Sequence, residues 1–126
     1  MQLDNSSFLV SVEYENSAEG FCDDASIVAY VENDLVGRLN IKQEDNLLYF
    51  FDLEIDREVQ GRGIARIIIL AALQKARELG LKGAYSCILI DNRESRRAHA
   101  CCGGCLTEVE ELGFSYIRAE FDVSGL

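Results

Sequence analysis

Between Ile55 and Gly80 the sequence changes its period, and that change constrains the fold more than any other feature. Upstream, runs such as Phe8–Glu15 alternate apolar with polar residues, the signature of half-buried strands. Downstream, Ile64, Ile67, Ile68, Ala71 and Ala72 recur at helical spacing, with Arg66, Lys75, Arg77 and Glu78 on the remaining arc. The junction is Arg57–Ala65, Arg-Glu-Val-Gln-Gly-Arg-Gly-Ile-Ala. Gly61 and Gly63 let the backbone approach a bulky anion without Cβ interference. A helix beginning just after them turns unpaired amides and the positive end of its dipole toward that anion. The spacing therefore predicts a phosphate cradle at a strand-to-helix turn.

The remaining elements follow in order. Ser26–Glu32, Leu35–Lys42 and Leu47–Ile55 read as further strands, with Asn33-Asp34 and Gln43–Asn46 as turns, giving an antiparallel meander. The run Leu-Leu-Tyr-Phe-Phe from Leu47 suggests burial on both faces of its strand. Asn16–Ala25 is polar and reads as a loop with room for one helical turn. Gly80 closes the long helix as a C′ residue. Ala84–Ile90 is a buried strand, parallel to Leu47–Ile55 across the helical crossover. Asn92–Cys102 forms a short helix ended by Gly103-Gly104. Cys105–Glu111 fits a helix or a strand, and Phe114–Val123 alternates as a strand. A terminal hairpin turning near Leu112-Gly113 is preferred, since a lone last strand would leave an edge unpaired.

Length bounds this to one domain, residues 1–126, of α/β class. Lys and Arg total 12 against 22 Asp and Glu, a net charge of −10, which argues against nucleic acid and for cationic partners such as amines. No stretch approaches the ~20 apolar residues of a membrane span and the N-terminus carries no basic signal start, so the expected compartment is the cytoplasm. Five cysteines, Cys22, Cys87, Cys101, Cys102 and Cys105, form an odd set unlike a disulfide framework. Cys102, Cys105 and His99 make half a zinc site with no second pair to complete it, so no metal is expected. Small thiols buried under the sheet are the preferred reading, and a redox or acyl-accepting thiol is the alternative.

The order of four strands, a Gly-led helix, a strand, a short helix and a hairpin resembles the GNAT superfamily of N-acetyltransferases. Gln60-Gly61-Arg62-Gly63-Ile64-Ala65 fits that family's acyl-CoA signature, whose backbone amides hold the CoA pyrophosphate. The resemblance implies a mixed, mostly antiparallel sheet of 6–7 strands and acetyl-CoA as the donor. It assigns residues 60–65, Asn92 and Ser95 to the cofactor, together with strand amides near Leu53 and Ile55 that would hold the pantetheine arm and the thioester oxygen. A second family element, Asn, small residue, Tyr and Gly, falls here on Asn92, Ser95, His99 and Gly103. His99 thus stands where the family carries a tyrosine acid. Histidine, with a pKa near ~6.5, serves as an acid only if its imidazolium form is stabilised, and otherwise as a base. An exposed helix histidine without a role is the remaining reading. The family's base positions fall on Tyr49 and Phe51, so a water chain to Glu54 or Tyr49 is the expected base route. A β-bulge in that strand, common in the family, would change which face Glu54 occupies. Arg62, Arg66, Arg93, Arg96 and Arg97 gather near the loop and short helix, as a phosphorylated cofactor requires.

The implied reaction is transfer of an acetyl group to a primary amine by direct attack. The shortened region 16–25 leaves the acceptor site open, suited to a cationic small molecule or a peptide amine, or completed by a second subunit in a homodimer. Glu19, Asp23 and Asp24 stand nearby in sequence to attract a cation. The competing reading is a degenerate module of the same fold that binds acyl-CoA or a protein partner without catalysis.

Overall fold

The computed structural model describes residues 10–16 and 24–124. Seven strands form one sheet: β1 (Val10–Asn16), β2 (Asp24–Val31), β3 (Asp34–Glu44), β4 (Leu47–Ile55), β5 (Gly83–Leu89), β6 (Cys105–Glu111) and β7 (Phe114–Asp122). Two helices, α1 (Ile64–Glu78) and α2 (Arg93–Cys101), flank β5 in sequence. The strand order is β1-β2-β3-β4-β5-β7-β6. The β4–β5 pair is parallel and the remaining five neighbours are antiparallel. The ambiguous tail is a hairpin: β6 pairs with β7 along its length, and Leu112 and Gly113 turn the chain at positive φ. The expected loop, with Glu19, Cys22 and Asp23, and the side chain of Asp24 lie outside the described residues.

Both helices end in the same way, for a reason visible in the sequence. After α1, Gly80 at φ 72° lets its N–H donate to the Arg77 carbonyl and Leu81 N–H donate to the Ala76 carbonyl. After α2, Gly103 at φ 93° does likewise, with Gly103 N–H to Ala100 and Gly104 N–H to His99. Each is a Schellman closure that satisfies carbonyls the helix leaves unpaired. The first helix buries Ile64, Ile67, Ile68, Ile69, Ala72, Leu73 and Ala76. They pack with Leu39 and Ile41 of β3, Leu48 and Phe50 of β4, and Ile117, Ala119 and Phe121 of β7 in one core. At Gly37 an added Cβ would lie 2.7 Å from Ile68 Cδ1 and 3.1 Å from Ile55 Cδ1, so side chains of α1 and β4 close over this position.

That core occupies one face of the sheet, and this corrects the expectation that β4 is buried on both. Leu48 and Phe50 are buried beneath the helices, whereas Leu47, Tyr49 and Phe51 are only half-buried. The apolar run arises because the far face carries a row of aromatic rings, which hydropathy alone does not distinguish from core.

A bulge re-aims the end of β4. Arg38 pairs with Glu54 and Asn40 with Phe51, so Leu39 faces two residues, and Asp52 takes up the excess at φ 55°. Leu53 and Ile55 consequently join Leu48 and Phe50 on the core side. Glu54 stays exposed on the face of Tyr49 and Phe51. Already before the bulge β4 leaves β5: their ladder has only the rungs Leu47–Gly83, Leu48–Ala84 and Tyr49–Tyr85. From residue 50 onward a gap opens between two strands whose backbone groups still point into it.

Candidate active site

The gap leads to a cavity of about 600 Å³. Leu53 and Ile55 of β4 form one wall, and Asn92, Ser95, Ala98 and Cys101 of α2 form another. Val59, Gln60, Gly61 and Gly63 supply the turn, and Ile64, Ala65 and Arg66 the first turn of α1.

Local sequence explains each wall. The turn begins with a single 3-10 turn, Arg57–Val59, capped by the Asp56 carboxylate accepting from Glu58 N–H. Gln60 Nε2 then donates to the Ile55 carbonyl at 3.1 Å, tying the loop back to the end of β4. Gly61 at φ 80° and Gly63 at φ 84° reverse the chain in the left-handed region, and nothing lies within 4 Å of where a Cβ on Gly61 would stand. Gly63 is the N-cap of α1 and offers no side-chain acceptor to its first turn. The first intrahelical bond after it runs from Ile67 N–H to the Gly63 carbonyl. The amides of residues 64–66 therefore have no intrahelical acceptor, and they sit on the cavity wall with the positive end of the dipole. Guanidinium groups of Arg66 and Arg97 add positive charge, and Glu94 one negative. This arrangement can hold an extended anion such as a pyrophosphate.

Of the residues assigned to a cofactor from sequence, Leu53, Ile55, Gln60, Gly61, Gly63, Ile64, Ala65, Asn92 and Ser95 come together on this wall, and Arg62 is not on it. Asn92 also caps α2, its Oδ1 accepting from Ser95 N–H at 3.1 Å. Arg96 is turned away to the Ile90 carbonyl at 2.8 Å, fastening α2 to the end of β5. Sequence reasoning missed Val59, Glu94 and Ala98. Ala98 lies one helical turn after Ser95, a spacing that would have found it, whereas Glu94 lies off that spacing and carries no such signal.

His99 is placed differently from either reading of it as catalytic or as exposed. It is 1% exposed, in the core, stacked on Phe50 at 5.6 Å and tilted against Phe121 at 6.1 Å. Its Nδ1–H donates to the Ser95 carbonyl at 2.7 Å, and Nε2 is enclosed with no partner among the described residues. Burial pushes its pKa down, against a smaller upward pull from the Ser95 bond. A neutral ring in an apolar slot is not an imidazolium acid, and it does not reach the cavity wall. The reason is helical phase: Ser95 and Ala98 face the cavity, and position 99 turns toward the sheet.

The thiols also differ from a buried set. Cys87, Cys101 and Cys105 are exposed, and Cys101 stands on the cavity wall. Cys102 is half-buried, its Sγ–H directed at the Arg66 carbonyl at 3.7 Å, and desolvation raises its pKa to about 11. A thiol held protonated in this way is a poor nucleophile.

Tyr49 and Glu54 lie on the opposite face of the sheet from the helices. Tyr49 occupies the last rung before β4 and β5 part. Desolvation, then Cys87, Asp52 and Glu44 nearby, raise its pKa above that of an ordinary phenol. The phenol is therefore held protonated at neutral pH.

Residues 1–103 match the model of the Acetyltransferase (GNAT) family. The chain belongs to that family. Its fold is shared by a nourseothricin acetyltransferase, with TM-score 0.72 and 22% identity over 80% of this chain and 66% of that one. A Bacillus subtilis acetyltransferase solved in complex with CoA aligns with TM-score 0.71 and 13% identity, over 92% of this chain and 99% of that one. The spermidine/spermine N-acetyltransferase of Vibrio cholerae aligns with TM-score 0.71 and 20% identity, over 84% and 69%. Comparison with curated protein sequences gives no match. Among the described residues no helix is long and apolar enough to cross a membrane.

Proposed function

We propose that residues 1–126 work as one domain that transfers an acetyl group from acetyl-CoA to a primary amine by direct attack. The observation that carries this reading is the uncapped start of α1 behind Gly61 and Gly63, facing a cavity that is also lined by Leu53 and Ile55, the part of β4 beyond its last rung with β5. Amides of residues 61–65 with Arg66 and Arg97 would hold the pyrophosphate, and the edge of β4 near Leu53 and Ile55, past its last rung with β5, would hold the arm and the thioester oxygen. Bound there, acetyl-CoA supplies an acetyl thioester whose C–S bond breaks as the C–N bond to the amine forms.

The chain's own residues manage the protons. Glu54, exposed beyond the bulge, receives the proton that the attacking nitrogen loses, through water. Tyr49, at the last rung and held protonated, delivers a proton to the departing thiolate. His99 takes no part, and Tyr49 in its stead fills the acid role.

Thermal unfolding with and without CoA, followed by acetyl-CoA consumption with a panel of amines, tests this directly. A ligand at 100 times its Kd stabilises the folded state by about 2.7 kcal/mol, a readily measured rise in Tm. Absence of any shift would sink the reading.

The second reading, a module that binds acyl-CoA without transfer, is favoured by one observation, the burial of His99 away from the cavity. A CoA-induced shift without consumption of acetyl-CoA by any amine would select it.

A further inference from the structure

The face of the sheet away from the helices carries a cluster that the cavity does not use. Tyr49 and Phe51 stack at 5.1 Å, and Tyr49 and Tyr85 at 4.9 Å. The Arg118 guanidinium lies 4.1 Å over the Tyr85 ring, and the Tyr85 hydroxyl donates to Glu44. Four planar groups thus form a row from Arg118 to Phe51. Phe51 ends it: among the described residues Tyr49 is its one ring partner. Directly after Phe51 come Asp52 and Glu54, both exposed, where β4 has already left β5.

Charge is distributed unevenly along this row. Asp52 is close enough to act on the Tyr49 phenol and follows Phe51 directly, so the Phe51 end carries a carboxylate, while Glu44 is held by the Tyr85 hydroxyl further along the row. The cations of the same face are each placed by the ladder. Lys42 opposes Tyr49 from β3, Arg38 opposes Glu54 but is ion-paired to Glu15 at 4.0 Å, and Arg118 holds the far end. A polyamine laid across the face would bring its further ammonium groups toward Lys42 and Arg118. A flat body with one ammonium would meet rings along its length and carboxylates at its charged end.

We propose that the acceptor is an arylalkylamine, its ring stacked on Phe51 at the end of the row and its single amino group beside Asp52 and Glu54 at the mouth of the β4–β5 gap. This rests on the acetyltransferase reading above and names its substrate class. The carbon chain between ring and nitrogen lets the amine reach the gap while the ring stays on the row.

The test compares 2-phenylethylamine, hexylamine and spermidine as acceptors, reading thiol release from acetyl-CoA, with CoA binding measured in parallel. The expected kcat/KM for 2-phenylethylamine exceeds that for hexylamine by about tenfold, the size of one good aromatic contact. Phe51→Leu lowers kcat/KM for 2-phenylethylamine to about that for hexylamine with CoA affinity unchanged, and Phe51→Tyr keeps the preference. Equal use of the two monoamines, a preference for spermidine, or equal slowing of both monoamines in Phe51→Leu overturns the proposal and leaves the acetyltransferase reading standing. Failure to bind CoA or to consume acetyl-CoA with any amine removes both.

Discussion

Phe50 and Phe51 are neighbours in the chain and belong to two different proteins, chemically speaking. Phe50 is fully buried between α2 and β7, touching His99 and Phe121. Phe51 lies half-buried on a face that no helix of the described residues covers, in a row with Tyr49 and Tyr85. The helix-covered face is close-packed to the point of needing glycines: an added Cβ on Gly104 would lie 2.8 Å from the Phe121 ring and 2.9 Å from the His99 carbonyl. Its counterpart is held by contacts that water can reach, such as the Arg118–Glu120 pair at 3.7 Å. One face spends its residues on stability and on seating α1 and α2 around the cavity. The other keeps polar and aromatic groups available for a ligand.

The sharpest way to break this contrast is to truncate both rings. Phe50→Ala is expected to cost about 3–5 kcal/mol in denaturant unfolding and Phe51→Ala much less, because only the first leaves a cavity in a closed core. Comparable losses would mean that the faces are not different in kind. Next in size, Gly104→Ala is expected to lose about 1–3 kcal/mol through overpacking against Phe121. Gly113→Ala, at the hairpin tip with φ 83° and nothing within 4 Å, pays only backbone strain, about 1 kcal/mol.

A third prediction uses pH. The pKa of His99 is lowered on folding, so below the unfolded value of about 6.5 the unfolded chain binds the proton first. Stability is therefore expected to fall as pH drops through 6.5, by at most about 1.4 kcal/mol per unit, and to level off below the folded pKa. His99→Leu should flatten that slope and leave CoA binding intact. A slope unchanged in the variant would remove His99 from the core account. The smallest effect is expected on the uncovered face, where Tyr85→Phe breaks the bond to Glu44 and costs about 1 kcal/mol.

The two faces were also unequally legible. Period, glycine placement and caps belong to local sequence, so β4, α1, the Schellman ends and the Gly61–Gly63 turn could be read from it. The long helix ends at Glu78 with Gly80 behind it, as the spacing predicts. The fate of Cys105–Glu111 was not local. It depends on pairing with β7, fifteen residues apart at the Cys105–Glu120 rung. His99 was misjudged because a motif position says which residue stands there, while helical phase against Phe50 and Phe121 decides where it points. The aromatic row escaped notice for a related reason: Tyr49 meets Tyr85 through the short parallel ladder, a contact that depends on where α1 returns the chain.

The central claim is that the cavity at the start of α1 holds the donor and the gap beside it leads to the uncovered face. A crystal structure with CoA tests it most directly. The account predicts pyrophosphate oxygens about 2.7–3.2 Å from the amides of residues 61–65, and the thiol arm running between β4 and β5 toward Tyr49. Pyrophosphate bound elsewhere, or an arm that stays on the helix side without entering the gap, would contradict it.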